Sequence, residues 1–167
     1  NLFPHPHRLE VERPLVRVGG RRSPRGRWSE RLAAIPGRKI VLALGSGTGR
    51  LGLDGPAAEA LGRLVADSAA GLGAAVLVSA SRHTRREVFE GCLRGLGQPA
   101  FVHRETRDQR PEEHAWPALL EAADVFVMAG LGETTLAEIC ATGRPVFLSP
   151  QLRTRPALWR RLREGIE

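Results

Sequence analysis

The stretch KIVLALGSGTGRLG, residues 39–52, joins an apolar run to a glycine-rich loop. The run from Ile40 to Leu44 contains no polar residue, which is typical of a parallel strand that helices cover on both faces. The glycines of the loop also fit the G-x-G-x-x-G spacing of a dinucleotide-binding turn. The segments that follow decide which fold this stretch indicates, and what kind of loop it contains.

Apolar runs and amphipathic segments alternate along the rest of the chain. They predict strands at 39–45, 74–80, 100–104, 124–130 and 145–150, and helices at 56–72, 84–96, 115–123, 134–143 and 156–165. Five β-α units with right-handed crossovers predict an α/β fold: a doubly wound, Rossmann-like three-layer domain with a parallel sheet. We expect the strand at 39–44 to be central and the strand at 100–103 to lie towards one edge.

Ligands of such sheets bind beyond the carboxyl ends of the strands. The loops that fall at this edge are therefore the candidates for a functional site. They are residues 45–55, 80–83, 103–115 and 129–135.

Residues 1–38 are rich in Arg, Pro and Gly, and we predict that they form a linker and N-terminal segment before the Rossmann-like domain at 39–167. PLVRVGG (14–20) is a strand candidate, and WSERLAAI (28–35) is a short helix candidate with Ser29 as its cap. The chain opens with neither Met nor a signal-peptide pattern, so we expect it to be a piece of a longer protein.

Charge and composition limit the classes of partner. The chain has a formal net charge of +7, and Lys39 is the only lysine among its 25 basic residues. Arginine suits phosphate binding because its guanidinium presents a planar fork of donors, so nucleotides, nucleic acid and anionic lipid are the candidates. The nucleic-acid alternative lacks aromatic support, because the chain has no Tyr and no ring-rich strand that resembles an RNA-stacking platform. No apolar run approaches the roughly 18 residues that a membrane span needs.

The two cysteines, Cys92 and Cys140, lie far apart in helical patterns and resemble neither a metal site nor a disulfide framework. We therefore expect a cytoplasmic protein that needs no metal and no cofactor, apart from a nucleotide-sugar donor as substrate.

The loop after the first strand is a poor dinucleotide turn. In a true fingerprint the helix begins within the glycine motif, whereas this helix cannot begin before Asp54-Gly55-Pro56. The loop is about ten residues long, against the usual two to six. We predict a mobile ligand-binding loop from Gly45 to Gly55. An NADP-binding domain remains a third alternative, because Arg82 after the second strand suits a 2′-phosphate.

A stronger signal is MAGLGETTLAEICATGRPVFL, residues 128–148. A strand breaks into a glycine-containing turn, and a helix is predicted to start at Thr134 or Thr135, with free backbone N–H groups that form an anion site. Glu138 lies one turn inside this helix and is predicted to face the cleft. The alternative is a capping box, in which Thr135 caps the helix and Glu138 bonds back to its start.

GETTLAEICATGRPV (132–146) resembles the diphosphate-and-ribose segment in the second domain of GT-B glycosyltransferases and nucleotide-sugar 2-epimerases. The wider chain is most similar to bacterial members of the mitochondrial-fission "elongated mitochondria" family. Five blocks carry this likeness: VGGRRSP (18–24), ERLAAI (30–35), IVLALGSGTGR (40–50), LVSASRHTRREV (77–88) and AEICATGRPV (137–146).

The GT-B resemblance implies a two-domain protein whose first domain is absent from this chain. It places Gly132, Thr134 and Thr135 at the diphosphate and Glu138 at the ribose hydroxyls. The remaining nucleotide-binding candidates are Ser46, Gly47 and Thr48 near the phosphates, His103 beside the base, and Arg82 and Arg50 as cations for a leaving diphosphate.

Two further expectations concern function. The first is a metal-independent GT-B-type transferase that uses a nucleotide sugar; no catalytic residue is assigned, and the chain without its first domain is expected to be inactive. The second is a non-catalytic scaffold of the fission family, peripheral to the inner membrane, in which LRTRPALWRRLREG (152–165) contacts lipid.

Overall fold

The computed structural model describes residues 27–45, 53–110, 113–130 and 132–149. It contains five strands: β1 Arg38–Leu44, β2 Ala74–Ala80, β3 Phe101–Arg104, β4 Val125–Ala129 and β5 Val146–Leu148. The helices are α1 Arg27–Ala33, α2 Gly55–Leu72, α3 Arg86–Leu96, α4 Trp116–Ala122 and α5 Glu133–Ala141. The predicted strand at 14–20 and helix at 156–165 lie outside the described residues.

All five strands are parallel and lie in the order β3-β2-β1-β4-β5. This confirms the doubly wound sheet, with β1 in the centre and β3 at one edge. The chain builds outward from β1 through β2 to β3 and then crosses to β4 on the other side of β1. The order therefore reverses between β1 and β4, where sheets of this kind bind their ligands.

Two hydrophobic cores lie on opposite faces of the sheet, and β1 contributes to both. Ile40, Leu42 and Leu44 pack on the side of α2 and α3. Val41 and Ala43 face the side of α1, α4 and α5. Because alternate residues of one strand are buried on both sides, the run has no polar position, which is the physical reason for its apolar sequence.

Helix α2 begins after the glycine motif, as predicted. Asp54 is its N-cap, and the Asp54 carboxylate accepts a hydrogen bond from the backbone N–H of Ala57 at 2.8 Å. The helix ends at Gly73, which has the left-handed φ of 59° that glycine adopts without strain. The predicted mobility of the loop stays a prediction, because residues 46–52 lie outside the described part of the chain.

Helices α2 and α3 approach so closely that glycine is required at their contact. A Cβ atom on Gly95 would lie well inside van der Waals contact with the backbone carbonyl of Glu59, and one on Gly91 would collide with the carbonyl of Gly55. The backbones of the two helices therefore touch, and only residues without a side chain fit at these positions.

Helix α1 lies over the edge of the second core. Leu32 is fully buried, and the Trp28 ring stacks edge-on against Phe101 with centroids 5.6 Å apart. Ser29, predicted as the cap, lies inside the helix, and its hydroxyl has no hydrogen-bond partner in the described part of the chain. Helix α1 therefore packs on the domain, although it precedes the first strand and falls within the predicted N-terminal segment at 1–38.

Candidate functional site

A cleft forms where the side chains on the α4 and α5 face of the sheet change from large to small. Four buried residues, one on each of four neighbouring strands, form a packed row: Phe101, Leu77, Val41 and Phe126. The next row towards the carboxyl ends is formed by His103, Ser79, Ala43 and Met128. Ser79 and Ala43 are too small to fill the layer between sheet and helices, so space remains above them.

The cleft has a volume of about 250 Å³ and lies at the carboxyl ends of β1, β2 and β4. Its lining combines the ends of these strands with the starts of α4 and α5: Ala43, Leu44, Gly45, Ser79, Ser81, Glu105, Trp116, Met128, Thr135 and Glu138. This position next to the reversal of strand order is where the fold predicts a ligand.

The turn after β4 brings the start of α5 against the end of β1. The backbone N–H of Gly45 donates to the carbonyl of Ala129 at 2.7 Å, and Gly130 follows with a φ of 78°. A Cβ atom on Gly130 would lie 2.9 Å from the carbonyl oxygen of Gly45, so a larger residue would push the two segments apart. Glycine at position 130 therefore allows the turn after β4 to lie close to the end of β1.

Glu138 is held in the cleft by a side chain from another helix. The indole Nε1–H of Trp116, the first residue of α4, donates to Glu138 Oε2 at 2.7 Å. The Trp116 ring is fixed in turn by an edge-on contact with Phe126, with centroids 6.4 Å apart. No other hydrogen bond to the Glu138 carboxylate occurs among the described residues, so Oε1 is available to a ligand.

The capping-box interpretation of Thr135 and Glu138 is wrong. Helix α5 begins at Glu133 with Gly132 as its N-cap, and no side chain caps it. Thr135 is therefore already the third helical residue. Glu138 lies a turn further on, too far along the helix to bond back to its start, and bonds to α4 instead.

Two other polar groups face the cleft without strong partners. Ser79 is only 7% exposed, and its hydroxyl has no hydrogen-bond partner among the residues that the structure describes. Glu105 follows β3 directly, and its Oε1 lies 3.8 Å from Nδ1 of His114. With Glu138, the described lining has two carboxylates and no Lys or Arg side chain, so the cleft favours ligand groups that donate hydrogen bonds.

The residues predicted at the diphosphate divide into three groups. Gly132 is the N-cap of α5 and Thr134 is exposed on its first turn, while Thr135 lines the cleft. Arg82 is exposed in the turn after β2, where its Nε donates to His83 Nε2 at 2.9 Å, and it is not part of the cleft lining. The four loop candidates, Ser46, Gly47, Thr48 and Arg50, lie outside the described residues.

His103, predicted beside the base, lies in the same row as Ser79 but does not line the cleft. It is 7% exposed beneath Trp28, with ring centroids 5.7 Å apart, and its Nε2 lies 2.8 Å from Nε2 of Gln109. Burial lowers the pKa of His103 from its ordinary 6.5, so the ring is neutral at pH 7 and accepts from Gln109. Glu105, two residues further on, reaches the cleft instead.

Sequence reasoning missed Ser79, Glu105 and Trp116 as lining residues. Ser79 carries a detectable signal, because it is the polar residue of the otherwise apolar strand AAVLVSA (74–80) and lies near its carboxyl end. Glu105 is the first carboxylate after β3. Nothing local marks Trp116, because its role depends on the packing of α4 against α5.

Across the described ranges, no group of three or more His, Cys, Asp or Glu side chains is arranged to hold a metal ion. None of the helices in those ranges is long and apolar enough to cross a bilayer.

Comparison with protein families matches residues 7–164 to the family described as Mitochondrial fission ELM1. The match covers nearly the whole chain, so the chain belongs to this family, as its sequence blocks predicted. Searches of curated proteins and of solved structures gave no match. The likeness to GT-B glycosyltransferases stays a prediction.

Proposed function

We propose that this member of the Mitochondrial fission ELM1 family binds a nucleotide or nucleotide sugar in the cleft at the carboxyl ends of its strands. The observation that carries the proposal is the position of Glu138, whose carboxylate the Trp116 indole holds inside the cleft at 2.7 Å. A half-buried tryptophan donor fixes one oxygen and leaves the other, with two lone pairs, for a ligand. A vicinal diol such as that of ribose offers O–H donors to such a carboxylate.

The phosphates of the ligand belong outside the acidic part of the cleft. Two carboxylates line the cleft, and an anion beside them would be repelled. The first turn of α5, with Gly132 as N-cap, carries backbone N–H groups that no residue within the helix can satisfy. The positive end of the helix dipole adds to their attraction for an anion. A nucleoside inside and a diphosphate at the start of α5 fit both observations.

Titration of the isotope-labelled chain with UDP, GDP, their sugars and NADP, followed by NMR, tests the proposal. We expect the largest shifts at residues that line the cleft. Glu138→Gln should weaken binding by about 1–2 kcal/mol, because a charge-assisted bond to ribose becomes neutral while Gln still accepts from Trp116.

Glu90→Gln is the matched control. It removes the same charge from α3, on the other face of the sheet, where Glu90 pairs with Arg86 at 2.6 Å on the surface. Its nucleotide affinity should equal that of the unchanged chain. Equal affinities for Glu138→Gln and Glu90→Gln, or no binding by the unchanged chain, would overturn the proposal.

A second candidate is the non-catalytic scaffold role, which the family membership supports. In that case nucleotides would leave the NMR spectrum unchanged, whereas vesicles with anionic lipid would bind the chain. The NADP alternative is not proposed again, because it requires a helix that begins within the glycine motif, and α2 begins at Gly55.

A further inference from the structure

Glu105 is a second carboxylate in the cleft that the ribose role of Glu138 leaves unexplained. Its position is fixed by its backbone, because the Glu105 N–H donates to the carbonyl of Ala80 at 2.9 Å and so continues the pairing of β3 with β2. The side chain is 28% exposed, and its Oε1 lies 3.8 Å from Nδ1 of the His114 imidazole. A half-buried acceptor is therefore directed by the fold to the wall of the cleft.

Ser79 gives an independent indication that a polar ligand group occupies the floor. The residue is only 7% exposed, it lines the cleft, and its hydroxyl has no hydrogen-bond partner among the described residues. A hydroxyl can donate one hydrogen bond and accept others, so it is available to a polar edge of a ligand at this depth.

The chemistry of Glu105 discriminates between nucleobases. A carboxylate only accepts hydrogen bonds, and its two oxygens match two parallel donors side by side. Guanine presents such a pair, N1–H and N2–H, on one edge. Adenine and cytosine each place an acceptor nitrogen beside their amino group, and uracil flanks its single N–H with two carbonyl oxygens, which a carboxylate repels.

We propose that the cleft selects guanine, with Glu105 accepting from N1–H and N2–H of the base; this rests on the nucleotide-binding function proposed above. The neighbouring O6 carbonyl of the base is then a partner for the Ser79 hydroxyl, which can donate. Trp116, Met128 and Ala43 supply the apolar surface against which the ring lies. The ligand is thus a guanosine nucleotide or its sugar conjugate.

Comparison of GDP with IDP, UDP, ADP and CDP by calorimetry tests the inference on the unchanged chain. IDP is GDP without the 2-amino group, so it lacks one of the two donors to Glu105. Because a hydrogen bond to a charged group is involved, we expect GDP to bind about tenfold or more tightly than IDP, and the other three more weakly still.

The variant Glu105→Gln provides a second test of guanine selection. Glutamine accepts with one end and donates with the other, so it pairs with N1–H and O6, which GDP and IDP share. We expect this variant to lose the preference for GDP over IDP, while Glu90→Gln retains it. An NMR spectrum of each variant shows that it is folded.

The outcomes separate this inference from the function on which it rests. Equal affinity for GDP, UDP and ADP, with weaker binding by Glu138→Gln, would overturn guanine selection and leave the nucleotide-binding function in place. A GDP preference that survives in Glu105→Gln would also overturn the role of Glu105. Absence of binding by all five nucleotides would remove both proposals.

Discussion

At the scale of single residues, His103 shows how burial determines which role a titratable group can play. The ring lies beneath Trp28 and accepts from Gln109 in its neutral form, while its Nδ1 is buried without a hydrogen-bond partner among the described residues. Desolvation by burial lowers its pKa, and the nearby Glu105 carboxylate opposes this shift without reversing it. A group of this kind couples the stability of the fold to pH.

The sign of that coupling gives a prediction. Because the pKa of His103 is below 6.5 in the folded chain, the unfolded chain binds more protons as the pH falls through that value. Its stabilising contribution is complete above about pH 6.5 and is lost as the pH falls towards the folded-state pKa. We expect the free energy of unfolding, measured with urea at about pH 8 and about pH 5, to fall less in His103→Gln than in the unchanged chain.

Glutamine at position 103 keeps a polar partner for Gln109 and does not titrate, so other histidines contribute equally to both proteins. An equal fall in the two proteins would show that His103 does not carry this pH dependence.

At the scale of elements, the α2–α3 pair depends on glycine for close contact of two backbones. The Cβ of an alanine at position 95 would overlap the carbonyl of Glu59 and lie 2.9 Å from the backbone nitrogen of Arg63. The helices would have to separate, which would also loosen the packing of Val65 and Cys92 in the first core. Burial raises the pKa of the Cys92 thiol to about 12, consistent with its role as a packed apolar side chain.

Gly95→Ala should therefore destabilise the chain by about 1–3 kcal/mol through overpacking. Gly71→Ala is the matched control, because Gly71 is in the last turn of α2, and a Cβ atom there meets nothing within 4 Å. Alanine at that position should stabilise by about 0.5–1 kcal/mol through helix propensity. Urea denaturation of the three proteins measures both effects, and equal midpoints for them would refute the close-contact interpretation.

The sequence predicted the strands and the functional edge of the sheet, but not the contacts between helices. Apolar runs located all five strands of the described residues. Burial on both faces explains the continuous runs of the inner strands β1 and β2, whereas the edge strands β3 and β5 expose Val102 and Phe147. The carboxyl edge and Glu138 followed from topology. The hydrogen bond from Trp116 to Glu138 could not be predicted from topology, because it joins residues that are 22 positions apart on different helices. Thr135 and Glu138 match a capping box in spacing, but the helix starts two residues earlier, at Glu133.

For the molecule as a whole, the net charge of the chain is positive, whereas the side chains that line the cleft carry negative charge. The chain carries a formal net charge of +7, whereas the described lining of the cleft includes two carboxylates and no basic side chain. A nucleotide in the proposed orientation would place its neutral nucleoside in the acidic cleft and its phosphates outside it, where the net positive charge of the chain favours an anion. The two parts of one ligand should then respond differently to salt.

Raising the salt concentration from about 0.05 M to about 0.5 M shortens the Debye length from about 14 Å to about 4 Å and screens the net positive charge of the chain. GDP should bind several-fold more weakly at the higher salt concentration, because its phosphates depend on that charge and on exposed groups at the start of α5. Guanosine has no phosphate, and its bonds to Glu105 and Glu138 lie in a partly buried cleft that salt screens little, so its affinity should stay nearly constant. Calorimetric titration of both ligands at the two salt concentrations measures the difference. If guanosine and GDP weakened by the same factor, the phosphates would not lie where the positive charge of the molecule attracts them, and the proposed division of the ligand between cleft and helix start would be wrong.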